Sequence, residues 1–264
     1  MAEKVDNVEQ IWHDWFTTDA FKVEKRMYHF FRILPHDPRC KLCQAPFHGI
    51  GGTIVRALYG REQSNLNPSF CNICEDFAKK YNGGAEVEMS MLFADVRGST
   101  ALSEQMTATE FSQLINRFYI GATKIIGDED GLVEKLAGDA VAAFWGAGFA
   151  GTHYVKRTIQ AAQQMARWMK SQKIPVGIGV HAGVAFFGAM GSSGGLVDIS
   201  AIGEEVNTAA RLASQAAEGE IIVSETALAR TDIAAEELEA RSLELKGISE
   251  PIAVRVMHAP TVVR

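Results

Sequence analysis

Apolar residues recur densely between residues 8 and 34. Ile11, Trp12, Trp15, Phe16, Phe21, Val23, Met27, Phe30, Phe31 and Leu34 are interrupted by charges and predict a helical segment closed by Pro35 and Pro38. The rhythm fades over residues 39–81, and Asn82-Gly83-Gly84 reads as a turn or short linker. A strand pattern follows at residues 87–95 (VEMSMLFAD) and ends in a carboxylate, with Gly98-Ser99-Thr100 as a tight turn. Thr107-Ala-Thr-Glu110 matches a capping box, and Phe111, Leu114, Ile115, Phe118, Ala122 and Ile125 then share one helical face. Residues 131–135 and 140–145 read as short strands around Gly138-Asp139, a hairpin signal. Further on, 154–169 predicts a helix, 176–180 and 184–187 strands, 188–195 a glycine-rich turn, 204–216 a helix, and 221–223, 239–245 and 252–257 strands. The order β-α-β-β-α-β predicts an α+β, ferredoxin-like domain with helices packed on an antiparallel sheet and extra C-terminal strands.

The 264 residues therefore divide into a helical segment (1–37), a small cysteine-bearing module (38–82) and a larger α+β domain (83–264). Charge follows the same division: residues 1–86 carry 11 basic and 11 acidic side chains, and residues 87–264 carry 15 and 21, which accounts for the net −6. Neither part is a basic nucleic-acid-binding surface by bulk charge. An apolar fraction of 47% with 22% charged residues excludes global disorder. The N-terminal MAEKVDNVEQ has no apolar signal core. The stretch 176–197 lacks Asp, Glu, Lys and Arg but holds seven glycines and a histidine, which suits strand and loop rather than a membrane span. A cytoplasmic protein without membrane or nucleic-acid partners is expected.

All four cysteines fall in two C-x-x-C pairs, Cys40/Cys43 and Cys71/Cys74, separated by 27 residues. Two chelating pairs of soft ligands suit a tetrahedral zinc ion. Asn67-Pro68-Ser-Phe-Cys71 looks like a helix start, which would put the second pair at a helix N-terminus, where thiolates are favoured. The layout is similar to treble-clef zinc modules. An iron–sulfur cluster or a redox dithiol are the alternatives.

Phe93-Ala-Asp95-Val-Arg-Gly98-Ser99-Thr100 places a carboxylate at a strand end before a turn whose amides can meet phosphate oxygens. Lys135-Leu-Ala-Gly138-Asp139-Ala140 presents a second carboxylate at a hairpin tip. Two like charges brought together there make sense with divalent cations between them. Asn207 and Arg211 are four apart and share a helical face, where Arg211 serves either a structural ion pair or phosphate oxygens. Gly146-Ala-Gly148-Phe-Ala-Gly151 mimics a dinucleotide loop, but no Asp or Glu follows at the required distance.

Phe-x-Asp-Val-x-Gly-Ser-Thr, Lys-Leu-Ala-Gly-Asp-Ala and Ile202-Gly-Glu-Glu-Val206-Asn207-Thr-Ala-Ala-Arg211-Leu together resemble the class III nucleotide cyclase catalytic domain. The resemblance covers residues 87–258. It implies that Asp95, Asp139 and the Val96 carbonyl bind two Mg²⁺ or Mn²⁺ ions and that Gly98, Ser99 and Thr100 contact substrate. It further implies that Asn207 orients the ribose, Arg211 stabilises the transition state and Lys246, in Leu-Glu-Leu-Lys-Gly, binds the triphosphate. Lys135 and Ser200 would read the purine. Lysine at the first position is the ATP-type residue, whereas Ser200 stands where relatives mostly have Asp or Thr, which leaves GTP use open.

The implied activity is an adenylate cyclase. The ribose 3′-hydroxyl of ATP attacks the α-phosphorus, giving 3′,5′-cyclic AMP and pyrophosphate at composite sites of a homodimer. The competing readings are a cyclase using GTP, a catalytically silent nucleotide-binding or dimerisation module, and a chain whose cysteine module is the main interaction domain.

Overall fold

The computed structural model describes residues 2–35, 37–192, 195–248 and 250–258. The chain forms two compact units, one of Met1–Val87 with Phe186–Ala201 and one of Glu88–Ala185 with Ile202–Arg264.

In the first unit the expected single N-terminal helix is two: α1 (Ala2–Thr17) and α2 (Lys22–Ile33). The break comes from Thr18, whose hydroxyl donates to the Asp14 carbonyl (2.9 Å) and accepts from the Ala20 amide (3.1 Å), replacing the helical ladder with local bonds. Helices α3 (Gly49–Tyr59) and α4 (Asn72–Lys80) follow. Trp12, Phe16 and Phe31 are fully buried. The Trp12 ring meets Phe77 edge-on at 5.3 Å, Phe16 meets Phe187 at 4.4 Å, and the Trp12 indole donates to the Tyr81 carbonyl (2.8 Å). An aromatic core thus compensates for the small size of this unit.

The chain continues with β1 (Gly83–Val96), α5 (Ser99–Gln105), α6 (Ala108–Asp128), β2 (Leu132–Ala137), β3 (Ala140–Trp145), α7 (Ala147–Ala150), α8 (Tyr154–Ser171) and β4 (Val176–Gly191). After β5 (Val197–Ile202) come α9 (Glu204–Gln215), β6 (Glu220–Ser224), α10 (Glu225–Leu228), β7 (Glu239–Leu243) and β8 (Ile252–His258). The sheet order is β2-β3-β1-β4-β6-β8-β7, with β5 pairing β4. Elements β1-α6-β2-β3-α8-β4 realise the expected β-α-β-β-α-β plan. The pairs β1–β3, β2–β3, β6–β8 and β7–β8 are antiparallel, while β4–β6 is parallel. Thr107 caps α6 as its sequence predicts, accepting from the Glu110 amide (3.3 Å) while the Glu110 carboxylate accepts from the Thr107 amide (2.8 Å).

Helices α6 and α8 cover one face, with Phe118, Ile126, Ile159 and Met165 packed on Leu92, Ile178, Val180, Ile221 and Val223. Helix α9 lies on the other face, where Leu212 and Ala216 meet Ile222, Val254 and Val256. Strand β6 therefore reads as an apolar run because it is covered on both sides. Truncating a core ring such as Phe118 to Ala costs about 3–5 kcal/mol.

Strand β4 runs unbroken where a strand, a strand and a glycine-rich turn are expected. Its glycines serve close packing: a Cβ at Gly179 would stand 2.3 Å from the Ala213 amide nitrogen, and one at Gly177 2.5 Å from the Ala216 carbonyl. Likewise Gly83 and Gly84, read as a linker, begin β1, because Gly84 passes close under Phe187 and Gly188. The segment Gly146–Gly151 makes one helical turn, α7, with Phe149 and Ala150 buried, and not a phosphate loop. Among the described residues no helix is long and apolar enough to cross a membrane.

Candidate active site and cysteine cluster

Strand β1 ends against the start of β3, with Asp95 opposite Ala140. The Val96 amide then donates to the Asp139 carbonyl (2.9 Å), so the two aspartates stand at the ends of adjacent strands. Gly138 takes φ +64° at the hairpin tip, a conformation that suits glycine. The Tyr119 hydroxyl braces that tip by donating to the Gly138 carbonyl (2.6 Å). Burial raises the pKa of Tyr119, and the Asp139 charge adds to this.

Arg97 enters the same place. Its guanidinium pairs with Asp95 and donates to the Ser214 carbonyl (3.0 Å) at the end of α9. Burial pulls the Arg97 pKa down, while Asp139 pulls it up. Two carboxylates beside one guanidinium leave negative charge uncompensated. Carboxylate and carbonyl oxygens are the hard donors that Mg²⁺ and Mn²⁺ prefer, so this donor set fits those ions. Gly98, left-handed at φ +64°, precedes α5, and its carbonyl accepts from the Leu102 amide (2.9 Å), with Ser99 and Thr100 in the first turn.

Asn207 is exposed and Arg211 half-buried, one turn apart on α9. Leu245 is buried with Leu212 and Ala216, which draws the loop after β7 onto α9. Gly247 in that loop lies against Arg211, a Cβ there standing 3.4 Å from Nη2. Arg211 and the exposed Lys246 are thereby neighbours although distant in sequence. Lys135 is exposed on β2 opposite Ala142, just after a register shift. Ser200 is half-buried on β5, in the first unit.

The four cysteine sulfurs lie within 4.8 Å of one another. Cys71 caps α4 as the sequence predicts, its sulfur accepting from the Cys74 amide (3.4 Å), while Cys40 Sγ accepts from the Cys71 amide (3.3 Å). Arg61 donates to the sulfurs of Cys43, Cys71 and Cys74 at 3.4–3.6 Å and lies over the Phe31 ring. Burial opposes the charge of Arg61, but the cysteines together raise its pKa.

Several residues at these sites escape a motif reading. Arg97 sits inside the Asp95 motif and Arg61 between the cysteine pairs, yet neither position carries a spacing signal. Tyr119 shows only as one more residue of an amphipathic helix.

The sequence profile of the adenylate and guanylate cyclase catalytic domain matches residues 84–256. An adenylate cyclase of Anabaena cylindrica is 32% identical over 133 residues, covering 47% of this chain and 26% of that one. An uncharacterised protein of Mycobacterium tuberculosis is 35% identical over 132 residues, covering 49% of this chain and 23% of that one. The chain thus spans about a quarter of the length of these curated relatives. Among solved structures, the adenylyl cyclase CyaB of P. aeruginosa has a TM-score of 0.59 at 25% identity, covering 66% of this chain and 95% of that one. The guanylyl cyclase Cya2 has a TM-score of 0.61 at 22% identity, covering 69% and 98%. The α+β sheet has the fold of these cyclase catalytic domains. The chain belongs to the adenylate and guanylate cyclase catalytic domain family.

Proposed function

We propose that this domain is an adenylate cyclase that converts ATP to 3′,5′-cyclic AMP and pyrophosphate. The observation that carries the reading is the Val96–Asp139 bond, which fixes Asp95 and Asp139 side by side at strand ends. Asp95, Asp139 and the Val96 carbonyl would hold two divalent ions. When bound, such ions acidify the ribose 3′-hydroxyl and neutralise the leaving pyrophosphate. The 3′-oxygen bonds to the α-phosphorus as the bond to the β-phosphate oxygen breaks. Asn207 hydrogen-bonds the ribose and keeps the 3′-oxygen aimed. Arg211 takes up the charge that grows on the α-phosphate, and Lys246 that on the leaving group. The backbone amides of Gly98, Ser99 and Thr100 face the phosphates.

ATP is favoured over GTP by Lys135, an obligate donor, which pairs with ring acceptors of adenine. The Ser200 hydroxyl accepts from the adenine amino group. The similarity to the Anabaena adenylate cyclase supports the same choice.

The family resemblance makes the site composite. The aspartates come from one chain, and Lys135, Ser200, Asn207, Arg211 and Lys246 from a second copy. A homodimer then holds two equivalent sites. Mixing Asp95→Ala with Arg211→Ala chains tests this. Each is inactive alone, and heterodimers regain one working site; proven heterodimers without activity would reject the shared site.

A further inference from the structure

Lys41 lies between Cys40 and Cys43, and its ammonium does not face solvent. It donates to the Asp198 carboxylate (2.9 Å) and to the Ile199 carbonyl (2.8 Å) on β5. Its side chain is 16% exposed and stands 6.0 Å from the Phe70 ring centroid. Its own amide donates to the Ser69 carbonyl (2.8 Å), in the segment that leads to Cys71. From that segment the buried Asn67 donates to the Val197 carbonyl (2.9 Å). Carbonyls two residues apart point to the same strand edge, so Val197 and Ile199 offer one edge of β5 to the cysteine module. β4 is the strand that pairs with β5. Val197, Ile199 and Ala201 are buried, which puts Asp198 and Ser200 together on the opposite face.

Lys41 lies within the first cysteine pair, and Asn67 stands four residues before Cys71 of the second. Cys43 and Cys71 sulfurs are 3.7 Å apart and all four fall within 4.8 Å. One ion with metal–sulfur bonds of about 2.3 Å gives a tetrahedral edge of about 3.8 Å. A multi-iron cluster has to fit its irons and sulfides between the cysteines and spreads them further. The Arg61 cation against three sulfurs offsets the double negative charge of a zinc tetrathiolate. Metal binding in so small a module supplies folding energy outright.

We propose that the four cysteines bind a single zinc ion and that this ion, through Lys41 and Asn67, holds β5 in the position from which Ser200 selects the purine. Metal loading of the module is then an input to substrate recognition. The proposal rests on the reading of Ser200 as a purine contact.

The test uses the full chain as purified, the same chain stripped by a chelator, and the Lys41→Met/Asn67→Ala double variant. Elemental analysis should find one zinc per chain in the wild type and in the double variant. Amide hydrogen exchange of residues 197–201 should speed up about 10-fold in both the stripped and the double-variant protein. The preference for ATP over GTP, as a ratio of kcat/KM values, should fall about 10-fold in both, and added zinc should restore it only in the stripped protein. Iron with a visible absorption band overturns the metal assignment. Unchanged exchange and unchanged ratio in the double variant overturn the coupling. If the wild type makes no cyclic nucleotide, the cyclase reading fails by itself, and zinc content with β5 exchange still decides the coupling.

Discussion

The Val96 amide and the Asp139 carbonyl, 2.9 Å apart, tie the end of β1 to the β2–β3 hairpin and bring two aspartates to adjacent strand ends. Like charges so placed cost stability. Asp139→Asn removes one of them without changing shape. Its cyclase activity should fall about 1,000-fold, the several kcal/mol that a metal-ligand set contributes to a transition state. Its melting temperature should stay level or rise. A drop in both would assign Asp139 to the fold instead.

Gly247 is a second point where shape and chemistry meet. It adopts φ +76° with Arg211 against it, and a Cβ would stand 3.4 Å from Nη2. Gly247→Val crowds the guanidinium and strains the backbone, at about 1–2 kcal/mol for the left-handed conformation alone. The transition-state role proposed for Arg211 predicts a fall in kcat of about 10-fold or more with KM for ATP within about 2-fold. Steady-state kinetics on the two variants Gly247→Val and Arg211→Lys should show the same pattern.

Much of this was legible in the sequence because it lies in local pattern. Thr107 and Glu110 announce α6, alternation announces β1, and Asp95 and Asp139 end recognisable strand and hairpin signals. What escaped depends on tertiary partners. Thr18 breaks the first helix with its own hydroxyl, which composition does not reveal. Gly188 reads as part of a glycine-rich turn but lies in β4, where it clears space for β1; within the same strand Gly177 and Gly179 clear space for α9 and Gly183 for the Glu205 side chain. Lys41 is an ordinary surface lysine by sequence, and only the fold brings Asp198 to it. Gly247 meets Arg211 because Leu245 is drawn into an apolar cluster with Leu212, a contact no spacing rule predicts.

His181 yields a pH prediction. It is 3% exposed on β4, with Nδ1 hydrogen-bonded to the hydroxyls of Ser224 (2.7 Å) and Thr226 (3.3 Å) and Nε2 to Glu205 on α9. Burial holds its pKa below the ordinary 6.5; Glu205 works against this, and Arg230, paired with Glu88, works with it. The native state therefore keeps the ring neutral while the unfolded chain takes up a proton. The stabilisation is full above pH 6.5 and is lost as pH falls through that value towards the lower folded one. Melting temperature measured from pH 8 to pH 5 should fall less steeply in His181→Gln than in the wild type. Parallel slopes would remove His181 from the acid response.

Arg61 makes a prediction about metal retention. Its guanidinium donates to three of the four sulfurs. Outer-shell partners of this kind are worth about 10- to 100-fold in metal affinity. Arg61→Met should bind zinc at the same stoichiometry but surrender it to a chromogenic chelator at correspondingly lower chelator concentration. Equal retention would make Arg61 a packing residue over Phe31.

Product analysis of the purified chain incubated separately with ATP and with GTP, in Mg²⁺ and in Mn²⁺, decides the substrate and the reaction together. An adenylate cyclase yields cyclic AMP and pyrophosphate in equal amounts from ATP, and little cyclic GMP. Preferential cyclisation of GTP would contradict the roles given to Lys135 and Ser200. No cyclic product from either nucleotide would contradict the catalytic reading of Asp95, Asp139, Asn207 and Arg211.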